Sequence, residues 1–146
     1  MNDGVLQNLI RIGVVSSVNE ENGTVRVLFE DKDNMVSAEL PLLSYEYNIP
    51  NIKDQVLCLF LPNGIEAGFC IGSFYSLINP PPIKNKDIFY KKFGDGTWIQ
   101  YNKLTKELNI SSIGDINIIG NVNVQGNIHA TGSIAGSWGE RKWLDI

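Results

Sequence analysis

The chain has 146 residues and a formal net charge of −4, so it is long enough for one ordinary domain and a small second one. Its acidic balance and its lack of a basic run argue against nucleic-acid binding, because neutralising phosphates needs clustered Lys and Arg. No apolar run approaches the roughly 20 residues of a membrane-spanning helix, and the N-terminus lacks the basic start and apolar core of a signal peptide. We therefore expect a protein that is made in the cytoplasm without a signal peptide.

The first 75 residues carry strand signals in close succession, after a short segment in which Val5, Leu6 and Leu9 have helical spacing. Alternating apolar residues predict strands over 10–18 and 24–30. Turn signals bound three further predicted strands, 35–40, the strongly apolar 55–61, and 67–75. An irregular insert, 42–54, separates the third strand from the fourth. Five short strands with such an insert fit a small Greek-key barrel of the OB type. An SH3-like barrel or a generic five-stranded sheet fits the same pattern.

Both cysteines of the chain, Cys58 and Cys70, lie in apolar strand-like runs. Because free cysteine behaves as a small buried hydrophobe and cytoplasmic thiols stay reduced, we expect two buried thiols. A hairpin centred near Gly64 would place them side by side, so a disulfide or a metal pair remains an alternative.

The stretch that follows joins the strand-rich part to a repeat. Pro80, Pro81 and Pro82 are stiff and cannot enter a central strand, so we interpret residues 76–87 as a junction. Residues 88–101 alternate and carry large aromatic side chains on both sides of a turn at 94–96. The polar stretch 103–109 then predicts a hairpin or a strand.

Residues 110–137 repeat with a period of six. Each hexad has an apolar residue in its first slot, an apolar or small residue in its third, and a glycine followed by Asp, Asn or Ser at its end. The first and third slots face the same side of a strand, and the glycine supplies a corner. The predicted inward side chains are Ile110, Ile116, Ile118, Val122, Val124, Ile128, Ala130 and Ile134, and the corner glycines are Gly114, Gly120, Gly126 and Gly132.

A column of this kind needs more hexads than one chain supplies. A hexad β-helix turns once in about three hexads, and stability in such arrays comes from stacked neighbours. The run ends where Trp138 replaces the glycine, before a second turn is complete. Three chains wound about one axis would each supply one face and share the core. The alternatives are an exposed array in a monomer and a flexible tail, although flexible tails seldom keep aliphatic residues in strict phase.

Several motifs also carry a family resemblance. They are the run 50–60, the turn 62–64, the glycine-spaced strand 68–75, the prolines 80–82, and the stretch 93–102 with its Asp-Gly-Thr-x-Ile-x-Tyr pattern. In this order and spacing they resemble the baseplate assembly protein V family, the central spikes of contractile phage tails and related injection systems. Lys53 departs from the pattern, since the family usually has glycine there. The resemblance covers roughly residues 10–136.

The resemblance implies an all-β protein with an N-terminal OB-fold and an intertwined trimeric β-helix or β-prism spike. The domains would be 1–77 for the OB-fold with a short N-terminal extension, 78–87 for the junction, 88–137 for the spike and 138–146 for a C-terminal tip. Trp138, Trp143 and Leu144 in the tip do not fit the repeat and would be costly to expose together. We expect them to plug the narrow end or to contact a further tip or cap protein.

For function, the resemblance implies a structural homotrimer in the baseplate of a virion or phage-tail-like particle, docked on the hub protein at its OB end and leading penetration of the target envelope. We expect no catalysis, cofactor, metal or nucleic-acid partner. His129 is the single histidine and lies between two inward residues, so it points outward. The iron-binding His-x-His motif that closes the tip of some family members is absent from this sequence. The alternatives are a hexapeptide-repeat acyltransferase and an OB-fold oligosaccharide- or nucleic-acid-binding module with a trimerising stalk.

Overall fold

Both parts of the chain are built from β-strands. The computed structural model of the protein describes residues 8–62 and 67–137. The chain divides into two units between Lys86 and Asp87, and each unit holds one sheet. In the described part, the all-β prediction is therefore confirmed. The division falls inside the predicted junction 78–87, while the predicted outer bounds of the domains stay predictions.

The first unit is organised around a long central strand, β1, which pairs on one side with β2 and on the other with β5. The sheet order is β3-β2-β1-β5-β6, and β4 also pairs with β2. All of these pairings are antiparallel, and one isolated parallel bridge links Leu42 to Cys70. The strands are β1 Ile10–Asn19, β2 Thr24–Phe29, β3 Met35–Val36, β4 Leu40–Pro41, β5 Gln55–Phe60 and β6 Gly68–Ser73.

One face of this sheet forms the core, as the alternation predicts. On β2, the side chains of Val25, Val27 and Phe29 are buried, whereas the residues between them face outward. The rings of Phe29 and Phe60 meet edge to face, with their centroids 5.9 Å apart. The guanidinium of Arg11 lies 4.4 Å from the centroid of Phe60 and covers the end of this core by a cation–π contact.

The prediction of one continuous strand over 35–40 was wrong, because Ser37 interrupts it. Val36 pairs with Leu28 and Leu40 pairs with Val25, so the segment between them holds one residue more than β2 does. The Ser37 hydroxyl accepts a hydrogen bond from the Val27 N–H at 3.0 Å and donates one to the Ala38 carbonyl at 2.7 Å. The side chain therefore takes the place of a backbone group in the ladder.

We expect Ser37→Ala to destabilise the first unit by about 1–3 kcal/mol, because it leaves a buried backbone N–H without its acceptor. Ser37 is only 3% exposed, so water does not replace the hydroxyl. The control is Ser16→Ala, at an exposed position of β1. Urea unfolding followed by circular dichroism measures both variants. Equal midpoints for the two variants would show that the hydroxyl is not needed.

The second unit begins with a three-stranded antiparallel sheet in the order β7-β8-β9. Its strands are β7 Ile88–Lys92, β8 Trp98–Asn102 and β9 Glu107–Ser111. The turn before β8 is held by Asp95, whose carboxylate accepts hydrogen bonds from the Thr97 N–H and hydroxyl at 2.8 and 3.1 Å. In the turn before β9, the Asn102 side chain accepts a hydrogen bond from the Leu104 N–H at 2.9 Å. The polar stretch 103–109 is thus a turn that leads into a strand.

Candidate assembly surface

The chain beyond β9 bends with the period of the hexads. The bends are at 113–114, 120, 125–126 and 131–132, and each contains one of the four predicted corner glycines. At two of them the backbone has a positive φ, 136° at Gly120 and 146° at Gly126. A residue with a side chain rarely adopts such angles, so these corners require glycine for a conformational reason.

The apolar stripe of the hexads is exposed in the single chain. Its seven Ile and Val side chains are between 49% and 72% exposed, whereas the core of the first unit is at most 8% exposed. The exposed side chains are Ile110, Ile116, Ile118, Val122, Val124, Ile128 and Ile134. Ala130 in the same stripe is exposed as well. The strict phase seen in the sequence is therefore not explained by burial within one copy.

The backbone of this segment also lacks a neighbour. Among the residues that the structure describes, no strand pairs with 112–137. The first residues are held to the sheet by a hydrogen bond of 3.2 Å from the Ile113 N–H to the Thr97 hydroxyl. Ordering each further residue costs roughly 1–2 kcal/mol of backbone entropy, which neither burial nor pairing offsets here. In the described part of one copy, neither the apolar side chains nor the backbone of this segment is covered.

Two apolar residues of the repeat were missed by the sequence reasoning. Ile113 and Ile119 precede the corner glycines and are 71% and 102% exposed. A Cβ atom built on Gly96 would lie 3.9 Å from the Ile113 side chain, so Ile113 lies against the turn before β8. The sequence signal that could have revealed them is an apolar residue in the fourth slot of the first two hexads. The next two hexads have Gln125 and Thr131 in that slot.

The two cysteines lie opposite each other on neighbouring strands of the first unit. Cys58 on β5 and Cys70 on β6 are cross-strand partners, and both are buried free thiols. A hydrogen bond with Cys70, followed by burial, raises the pKa of the Cys58 thiol. A thiol with a raised pKa stays protonated at neutral pH and reacts slowly. The expectation of two reduced, buried thiols agrees with this geometry.

The remaining candidate residues do not form a chemical site. His129 is exposed in the hexad segment. Within 8–62 and 67–137, no three His, Cys, Asp or Glu side chains lie close enough to hold a metal ion. The candidate tip contacts Trp138, Trp143 and Leu144 lie outside the described residues.

The chain is similar in sequence to a known phage protein. No family model matches the chain. A "Spike protein" of Escherichia phage P2 is 28% identical over 114 residues, which cover 74% of this chain and 53% of the relative. The match therefore spans about half the length of that protein. None of the helices in the described part is long and apolar enough to cross a membrane. The relative confirms the resemblance to the family of phage baseplate spikes that the sequence motifs indicated.

Proposed function

We propose that this protein is a structural spike subunit in the baseplate of a contractile phage tail or a phage-tail-like bacteriocin (tailocin), and that it works as a homotrimer. The observation that carries the proposal is the stripe of Ile and Val side chains that one copy leaves about half or more exposed. The name of the phage P2 relative supports the same role. A phage-type spike needs a stiff column, and a column needs this stripe to be covered.

Three copies would cover the stripe by turning the first and third slots of every hexad toward a common axis. Burying one large aliphatic side chain stabilises by roughly 1.5–3 kcal/mol, so the gross gain per trimer is several tens of kcal/mol before ordering entropy is subtracted. The third slot shrinks from Ile118 and Val124 to Ala130 and Gly136. The column therefore narrows toward its C-terminal end, as a penetrating tip requires.

We further propose that the first unit is an OB-type barrel that docks on the baseplate hub. The support is its pairing pattern: β1 pairs with both β2 and β5, and the bridge between Leu42 and Cys70 joins the chain after β4 to β6 in parallel. If the sheet closed at this bridge, it would form a small barrel with few free edges. The tip residues Trp138, Trp143 and Leu144 would plug the column or bind a tip or cap protein.

The proposed role is mechanical and not catalytic. Contraction of the sheath would supply the work, and the spike would transmit it to the target cell envelope without buckling. A column in which three chains share a dry core and pair their backbones has no free sheet edges and resists unfolding. An OB-fold binding module remains the alternative function, and it does not by itself account for the exposed stripe.

The corner glycines allow a test at single positions. We expect Gly126→Ala to cost about 1–3 kcal/mol in each copy, because φ at this corner is 146°. Because the proposed column contains three copies of this corner, the loss of stability is incurred three times. The melting temperature of the trimer should therefore fall markedly. Gly132→Ala is the matched control, since Gly132 occupies the same slot without a positive φ in this range. If both variants have the same melting temperature as the wild type, the corner glycines do not keep these φ angles in the assembled column.

Deletion of the gene from the producing bacterium tests the function itself. We expect particles that lack this chain and fail to kill or infect, with activity restored by the wild-type gene but not by a gene carrying Val122→Asp. Mass spectrometry of purified contractile particles should detect the chain in the active preparations alone. Active particles that lack the chain would contradict the proposed role.

A further inference from the structure

The two buried cysteines of the first unit are placed for a chemistry that a mechanical spike does not use. Cys58 on β5 and Cys70 on β6 are directly opposite each other, and both are fully buried on the core face of the sheet. Opposite residues of an antiparallel pair have Cα atoms about 4.5–5.5 Å apart, and disulfides span Cα distances of about 4.4–6.8 Å. The two sulfur atoms can therefore be joined without a large movement of either strand.

The surroundings of the pair keep Cys70 in this position. Gly68 precedes Cys70 by two residues and lies so close to β5 that a Cβ atom there would overlap the Leu59 carbonyl oxygen. On its other side, Cys70 forms the parallel bridge with Leu42. Cys70 is thus held between β5 and the chain after β4, opposite Cys58.

The two thiols also differ in their readiness to react. The hydrogen bond between them raises the pKa of the Cys58 thiol and lowers the pKa of the Cys70 thiol. Burial opposes the lowering at Cys70, whereas a hydrogen bond with the backbone of Gly72 supports it. Because the thiolate is the form that attacks a disulfide, Cys70 is suited to react first and Cys58 to react second.

We propose that Cys58 and Cys70 are a modification site, at which a low-molecular-weight disulfide oxidises the two thiols to a disulfide that ties β6 to β5. The inference goes beyond the proposed function, because this chemistry depends on the pair alone. Only its timing rests on the proposed function: the thiols stay reduced while the particle is assembled in the cytoplasm and are oxidised after its release.

The reaction proceeds by two thiol–disulfide exchanges. The Cys70 thiolate attacks one sulfur of the small disulfide, which forms a mixed disulfide on Cys70 and expels one small thiolate. Cys58 then gives up its proton and attacks the Cys70 sulfur, which forms the bond between the two cysteines and expels the second small thiolate. The protein loses two electrons and two protons, and the small disulfide is reduced to two thiols.

The position of β6 in the sheet allows the oxidant to enter and gives the disulfide its effect. In the described part, β6 pairs with β5 and otherwise only through the bridge to Leu42. A strand at the end of a sheet can open locally without unfolding the rest, and such opening exposes Cys70. Once the disulfide has formed, β6 can no longer separate from β5. The bridge also closes the segment 58–70 into a loop, which restricts the unfolded chain.

Oxidation of the purified full-length chain by glutathione tests the proposal. The wild type is equilibrated with mixtures of reduced and oxidised glutathione, once folded and once in concentrated urea, and is then quenched with acid and weighed by mass spectrometry. We expect the equilibrium constant for the internal disulfide to be about a hundredfold larger in the folded chain than in urea, because the fold holds the two thiols opposite each other. The melting temperature of the first unit should rise on oxidation for the same reason.

Cys58→Ala and Cys70→Ala are the controls, since each leaves one thiol that can form only a mixed disulfide with glutathione. The ratio is measured on the wild type, so it does not depend on whether the variants fold. A ratio near one, or a folded chain that keeps two thiols or ends as two mixed disulfides, would overturn the proposal. A disulfide that lowers the melting temperature would overturn it as well. Sedimentation of the reduced chain reports the native mass separately, so a failure of the disulfide leaves the proposed spike standing.

Discussion

We expect a chain that carries Val122→Asp not to form the proposed trimer. Val122 occupies the first slot of a middle hexad and is 62% exposed in one copy. In the proposed column, three carboxylates would meet at one level of an apolar core, and each would lose hydration without gaining a partner. Like charges held so close repel each other strongly in a medium of low dielectric. We expect light scattering to give a mass near that of one chain, 16.2 kDa.

Asn123→Asp is the matched control for this substitution. Residue 123 is the neighbour of Val122 in the chain and lies in an outward slot of the same hexad. The variant adds the same charge on the solvent side, so it should remain a trimer with a small loss of stability. Circular dichroism should find the first unit folded in both variants. If Val122→Asp also stays trimeric, the assignment of inward and outward slots is wrong.

Phe29→Ala is expected to produce the second large effect, which is confined to the first unit. Phe29 is fully buried and packs edge to face on Phe60, 5.9 Å away. Truncating a buried phenylalanine typically costs about 3–5 kcal/mol, a large part of the stability of a small domain. Hydrogen exchange followed by mass spectrometry should therefore show much faster exchange in β1 and β2. The same experiment should show unchanged exchange in β8.

Leu28→Ala, the preceding position on β2, is the control for Phe29→Ala. Its side chain points to the other face and is half-buried, so the expected loss is clearly smaller. The native mass should stay that of a trimer in both variants, because the stripe lies in the second unit. A loss of trimer on Phe29→Ala would show that the two units do not fold independently. Equal effects of the two substitutions would contradict the position of the core.

The strands with one buried face were predictable from alternation. On β2, apolar residues alternate with polar or half-buried ones, and the structure buries every second side chain. The break at Ser37 was not predictable, since a serine at an inward position of a strand has no signature. It became visible only when its hydroxyl was seen to replace a backbone acceptor for Val27. Local patterns do not report such long-range hydrogen bonds.

Two glycines of the family motif have physical reasons that the sequence did not reveal. A Cβ atom on Gly68 would lie 2.2 Å from the Leu59 carbonyl oxygen, so only glycine lets β6 approach β5 this closely. Gly72 has a φ of 122° beside a register shift in the same strand pair. Both glycines belong to the motif that carries the family resemblance, but the motif gives no structural reason for either of them.

The hexad stripe is the opposite case. Its sequence predicted a buried core, but the structure of a single copy does not contain that core. The phase of Ile110, Ile116 and Val122 predicted a shared core, and the single chain leaves all three exposed. A core shared between copies is absent from one copy by its nature. The apolar row of Phe89, Tyr101 and Leu108 was also missed, since the pairing of β7, β8 and β9 is needed to align these side chains.

Sedimentation equilibrium of the wild-type chain at micromolar concentration tests most directly whether the stripe is shared by three copies. One chain has a mass of 16.2 kDa, and we predict a single species of three times that mass. The mass should not change on dilution, because a trimer that shares a core of this size dissociates slowly and only to a small extent. A stable species of 16.2 kDa with a folded second unit would contradict the shared column.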